Sequence, residues 1–102
     1  MDARPAETAR QSGTASRTIR MTLKLYASLI TFLPEANRKG HAIELEVAED
    51  ATIEAVVAPF GMPKAQVFLV LVNGVFVPPS LRATRRFRDG DVLAIWPPVA
   101  GG

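Results

Sequence analysis

Large apolar residues are scarce before Ile19 and then recur with a changing period. Leu23, Leu25 and Ala27 alternate with Thr22, Lys24 and Tyr26, the period of two that marks a strand with one buried face. Ile43, Leu45 and Val47 alternate with Ala42, Glu44 and Glu46 in the same way. Two strands so close in sequence pair antiparallel by default, which would set Lys24 against Glu44 or Glu46. Between them Leu29 to Gly40 reads as a connection, punctuated by Pro34 and Gly40. Leu29, Ile30, Phe32 and Leu33 are expected to tuck under the core.

The period then changes. Ile53, Val56, Val57 and Phe60 fall at i, i+3, i+4 and i+7, one apolar stripe of a helix. Thr52 is the candidate N-cap and Glu54 favours the positive helix end. Gly61 and Pro63 stop the helix, and Pro59 predicts a distorted last turn. Val67 to Val72 is a continuous apolar strand. Asn73-Gly74 suits a type I′ hairpin turn, which needs positive φ at both central residues. Val75 to Val77 runs back until Pro78-Pro79. Arg88-Asp89-Gly90-Asp91 is a tight turn with Gly90 as its left-handed residue. Val92 to Trp96 is the last strand, ended by Pro97. The order predicts an α+β domain: five strands in a mixed sheet, with one main helix packed on one face.

Composition narrows the chemistry. The 102 residues suit one domain. Residues 1–20 are rich in Ala, Arg, Ser and Thr, and read as a disordered tail before a domain spanning 21–102. That tail carries four arginines against Asp2 and Glu7, while residues 21–102 hold eight basic and eight acidic side chains. The net charge of +2 therefore resides in the tail. A nucleic-acid reader needs a basic face, which the bulk charge of this domain does not supply, and no apolar run reaches membrane-spanning length. Cysteine is absent, which excludes disulfides, thiolate metal sites and a cysteine nucleophile. Such a chain suits the cytoplasm. The sole histidine, His41, has no partner constellation and reads as a solvated or capping residue rather than a proton shuttle. No metal-ligand spacing and no phosphate loop are present. With neither, the chain itself is expected to hold no metal and no bound cofactor.

The end of the chain carries the sharpest signal. Asp89-Gly90-Asp91-Val92, a short apolar strand, and Pro97-Pro98-Val99-Ala100-Gly101-Gly102 together resemble the C-terminus of the MoaD/ThiS-type ubiquitin-like sulfur carriers. The paired prolines are closest to MoaD, the small subunit of molybdopterin synthase. Val72-Asn73-Gly74 and Pro78 fit both branches, and the resemblance covers residues 21–102. It implies a ubiquitin-like β-grasp fold and a sulfur carrier that is no enzyme itself but a non-catalytic small subunit. It also implies that Gly102 is adenylated with ATP on an E1-like adenylyltransferase/sulfurtransferase and converted to a thiocarboxylate. That group would donate sulfur to a cyclic pterin phosphate bound by the large subunit of molybdopterin synthase, for molybdenum cofactor biosynthesis. A thiazole-forming acceptor enzyme is the alternative destination. A protein modifier that forms isopeptide bonds through Gly102 is a second role. A β-grasp binding or RNA-contact module with incidental glycines is a third.

An α-carboxylate with a pKa of about 3.5 is ionised at neutral pH and a poor acyl donor until activated. Pro97 and Pro98 favour an extended conformation. Val99, Ala100 and Gly101 complete a slim segment expected to thread a partner's active site, because glycine lacks Cβ. Trp96 is expected in the core, whereas Phe76 fits either core or interface. Arg82, Arg85, Arg86 and Arg88 form the one dense basic cluster. Their plain reading is a solvated loop beside Asp89 and Asp91; the sharper one is docking onto an acidic partner surface near the tail.

Overall fold

Strand β1 runs from Thr18 to Leu25 and pairs antiparallel with β2, Ala42–Ala48. The computed structural model describes residues 17–98. The tail boundary expected after Arg20 therefore moves forward: Thr18, Ile19 and Arg20 pair with Ala48, Val47 and Glu46. Ile19 packs against the core, so the ladder and this one apolar side chain hold the extra turn of pleat. The register corrects a second expectation. Lys24 lies opposite Ala42, and Arg20 is the residue that meets Glu44, at 3.7 Å.

The Leu29–Gly40 connection has more structure than its sequence suggests. Ala27–Phe32 is a 3-10 helix and Glu35–Arg38 a single turn, α1. Ala27 is no strand residue; its φ of 54° turns the chain out of β1. Leu29 and Leu33 are buried, as expected for the apolar side chains of this segment. Arg38 secures it by donating from Nε to the Leu33 carbonyl at 2.9 Å and from Nη2 to that of Thr31 at 3.1 Å.

Helix α2, Ile53–Val57, begins where Thr52 Oγ1 accepts from the Ala55 N–H. Pro59 converts its continuation, Ala58–Phe60, to a 3-10 turn. Gly61 closes the segment at φ 74°. Ile53 and Val56 are buried, and Val57 and Phe60 pack beside them. A helix this short holds through its packed face.

Three strands complete the sheet. β3 is Leu69–Val72, β4 is Val75–Phe76 and β5 is Val92–Trp96. β3 is shorter than the apolar run because Lys64–Gln66 forms a 3-10 turn that ends on Val67. Val77 falls outside β4, yet its N–H still donates to Val70 at 2.8 Å. The sheet order is β2-β1-β5-β3-β4, with β5 parallel to β1 and antiparallel to β3. On one face Met21, Leu23, Leu25, Val70, Val72, Leu93 and Ile95 pack against Ile53 and Val56. Each buried aliphatic of this kind contributes about 1.5–3 kcal/mol relative to exposure.

A polar latch fixes where β5 starts. Asp91 accepts from Asn73 Nδ2 at 2.9 Å and from the Arg88 N–H at 2.8 Å. Asn73 Oδ1 accepts from the Val92 N–H, and Asp89 Oδ1 from the Arg20 N–H. Asn73 and Gly74 have φ of 51° and 82°, and Gly90 has φ 87°, as their turn chemistry predicts. An added Cβ at Gly90 would meet no atom within 4 Å, so the cost of a side chain there is conformational. Gly90→Ala should lose about 1–2 kcal/mol, the left-handed penalty. Gly40→Ala, also uncrowded, should stay within about 0.5 kcal/mol. Urea denaturation of the two variants checks the contrast; equal losses would refute it.

Candidate functional site

Alternation along the three central strands leaves a second apolar surface opposite α2. Leu69 lies beside Trp96, Leu71 beside Ala94 and Phe76, and Val92 beside Thr22. These positions share the outer face, since their neighbours Val70, Val72, Leu93 and Ile95 face inward. Phe76 is 52% exposed there. Over β1 and β2 the same face is polar, with Arg20, Thr22 and Lys24 paired to Glu46, Glu44 and Ala42. The sheet thus presents an apolar half and a charged half.

The tail leaves from the apolar half. β5 lies between β1 and β3 and ends at Trp96, followed by buried Pro97 and exposed Pro98. Trp96 is half-buried on the outer face rather than in the core. In a sheet with its helix on one side, a central strand still turns every second residue outward. Its ring stacks on Tyr26, with centroids 4.3 Å apart and planes 3° apart. Tyr26 in turn lies 5.7 Å from the His41 ring. His41 is consequently half-buried, which counts against the solvated one of its two expected readings. It holds φ 60°, and among the described residues its buried Nδ1 has no hydrogen-bond partner. Val99, Ala100, Gly101 and Gly102 lie outside the described residues.

Phe76 is therefore an outer-face residue and not a core one. Leu69, Leu71 and Val92 belong to the same surface, although nothing in a run such as Val67–Val72 distinguishes inward from outward positions. No group of three His, Cys, Asp or Glu among the described residues could hold a metal ion. No helix there is long and apolar enough to cross a membrane.

A family model described as Mut7-C ubiquitin matches residues 18–100. The chain belongs to the Mut7-C ubiquitin family. No curated protein matches it. Among solved structures it is similar to SAMP1 of Haloferax volcanii, at 27% identity over 81% of this chain and 99% of that one, with a TM-score of 0.57. The HVO 2177 protein of the same organism matches at 23% identity over the full length of both chains, with a TM-score of 0.62. A Pyrococcus furiosus protein described as a molybdopterin converting factor, subunit 1, matches at 19% identity over 79% of this chain and 99% of that one, with a TM-score of 0.57. The fold is the ubiquitin-like β-grasp, as the sequence predicts.

In this Mut7-C ubiquitin domain the arginine cluster divides. Arg85, Arg86 and Arg88 are exposed. Arg82 is not, and the solvated-loop and docking readings do not hold for it. Its side chain turns inward, 9% exposed. It donates to the carbonyls of Val77, Val67 and Phe68 at 3.3, 2.8 and 2.9 Å. Val67 and Phe68 precede β3 and Val77 follows β4, so these carbonyls sit at the frayed margin of the ladder. Burial lowers the pKa of Arg82 below the ordinary arginine value, because desolvation disfavours the charged form. The loop around it also caps α2: the Ile53 N–H donates to Arg85 O and the Glu54 N–H to Arg82 O, both at 3.1 Å. Arg88 stands in the turn before β5, while the tail leaves from the far end of the strand, about 13 Å along it.

Arg82→Met should leave three strand-margin carbonyls without their donor and cost about 2–4 kcal/mol. Arg85→Met should stay within about 0.5 kcal/mol. Thermal and urea unfolding of the pair test this; an Arg82 variant as stable as the parent would remove the structural role.

Proposed function

We propose that this domain is a sulfur carrier whose reactive group is the α-carboxylate of Gly102. The observation that carries the reading is where the tail is rooted. It leaves the central strand of the sheet through Pro97-Pro98, beside an apolar surface that includes Phe76. A partner that covers this surface receives the tail in a defined direction, and stiff prolines reduce the entropy lost on threading.

The chemistry follows from the tail and from what the chain lacks. A carboxylate oxygen of Gly102 attacks the α-phosphorus of ATP on an E1-like partner. Pyrophosphate leaves and an acyl-adenylate forms. A partner's cysteine persulfide then displaces AMP, giving an acyl disulfide. A second thiol attacks the partner's sulfur, forms a disulfide with it and releases the thiocarboxylate. This chain has no cysteine, so the persulfide and the reducing thiol come from partners. Partner groups supply the electrostatic stabilisation as well.

The destination we propose is molybdenum cofactor biosynthesis, with the large subunit of molybdopterin synthase as acceptor. The paired prolines before Val99-Ala100-Gly101-Gly102 support it. A thiazole-forming acceptor is the alternative destination. The second role, protein modification through an isopeptide bond at Gly102, is supported by the 27% identity to SAMP1, described in a second structure as small archaeal modifier protein 1. Both roles share the activation step and differ in the acceptor.

Intact-mass spectrometry of protein isolated from its own cells separates them. One oxygen-to-sulfur exchange at the C-terminus supports the carrier; adducts on lysines of other proteins support the modifier. One residue added after Gly102 should abolish loading with no change in unfolding temperature. A normally loaded extended protein would overturn the mechanism. Phe76→Glu should weaken capture by the activating enzyme at least tenfold, as expected for an exposed aromatic anchor, with stability within about 0.5 kcal/mol. Unchanged affinity would remove the outer face from the partner surface.

A further inference from the structure

The face opposite the apolar sheet surface carries a groove that the carrier chemistry does not use. It has a volume of about 380 Å³ and lies between α2 and the turns that flank β3. Ile53, Val57, Met62 and Val67 give it apolar walls, and Lys64, Arg82 and Glu54 supply the charges. Arg82 gives its three hydrogen bonds to neutral carbonyls. Its charge therefore adds to that of Lys64, against the single negative charge of Glu54. The groove suits a small apolar segment that ends in an anion.

The chain holds such a segment within reach. The Phe68 N–H donates to the Trp96 carbonyl at 3.1 Å. Phe68 is the neighbour of Val67, which forms one wall. The groove therefore opens about two residues from the root of the tail. Six residues follow Trp96, and an extended chain of that length reaches roughly 20 Å. Val99 and Ala100 match the apolar walls in size, and the Gly102 carboxylate matches Lys64 in charge.

We propose that this groove is a resting site for the chain's own C-terminal segment, Val99–Gly102, docked reversibly in cis with its carboxylate toward Lys64. The proposal rests on the carrier reading, which makes Gly102 a free carboxylate. A short connection gives an effective concentration in the millimolar range, so a weak groove is still substantially occupied. Docking holds the carboxylate away from incidental chemistry. It also withdraws a share of the molecules from the threading-competent population, which lowers apparent affinity for the activating partner by the same factor. Screening by salt weakens the carboxylate–lysine attraction and shifts the balance toward the free tail.

The test is a nuclear Overhauser experiment on the full chain, isotopically labelled. Contacts are expected from the Val99 and Ala100 methyl groups to Met62 and Val57. They should be lost in Lys64→Glu, retained in Lys64→Arg, and independent of protein concentration. The peptide Val-Ala-Gly-Gly added in trans to a full chain whose Gly102 is amidated should shift the Lys64 and Met62 signals, and its amide should do so at least threefold less. Contacts to Leu71 or Phe76, or none to the groove, overturn the proposal. Contacts that grow with protein concentration assign the groove to a second copy's tail and overturn docking in cis. Thiocarboxylate formation is assayed on the same preparation. Loading without groove contacts removes the resting site and leaves the carrier; groove contacts without loading support the resting site and count against the carrier.

Discussion

Burial of Leu93 and Ile95 between β1 and β3 is the contact on which the rest of the molecule depends. Among the described strands, β5 is the one whose two partners are both non-consecutive with it in chain order, parallel to β1 and antiparallel to β3. Without it the β1–β2 and β3–β4 hairpins would be separate ribbons, each marginal in water. With it a single sheet closes over Ile53 and Val56, and a five-residue helix becomes stable. The same placement puts Pro97 and Pro98 next to the middle of the sheet. Fold stability and the central position of Pro97 and Pro98 are thus two consequences of one strand's position.

The turn before β5 shows how a motif that marks a family acts as structure. Asp89, Gly90 and Asp91 touch no site. Asp89 holds the β1 backbone at Arg20, Gly90 supplies the left-handed turn, and Asp91 ties Asn73 and Arg88 to the strand start. One latch thereby sets the β1–β5 register and the β3–β4 turn together. A register slip of one residue would reverse the faces of Leu93 and Ile95. Such a slip would also carry Trp96 and the tail root to the other side.

Arg82 illustrates the opposite case, in which a plausible functional residue is part of the frame. Its planar group satisfies carbonyls at the margin of the sheet where the ladder gives out. It joins the segment before β3, the segment after β4 and the cap of α2. Arg85, Arg86 and Arg88 have the same chemistry and remain in water. Charge by itself did not separate these four side chains; the path of the backbone did.

The sequence alone determined the elements with a clear period or an obligatory turn residue. The alternation in β1 and β2, the stripe of α2 and its break at Pro59, and the turns at Asn73-Gly74 and Gly90 follow from local backbone and side-chain chemistry. The end of β5 before Pro97 was equally legible. Features that depend on distant partners were not. The inward turn of Arg82, the outward face of Trp96, the packing of His41 against Tyr26 and the 3-10 helix at Ala27–Phe32 were settled by what lay across from them. So was the choice of Arg20 over Lys24 as the partner of the β2 carboxylates. A period is a property of consecutive residues, whereas a face, a register and a hydrogen-bond partner exist only after chain segments far apart in sequence have met.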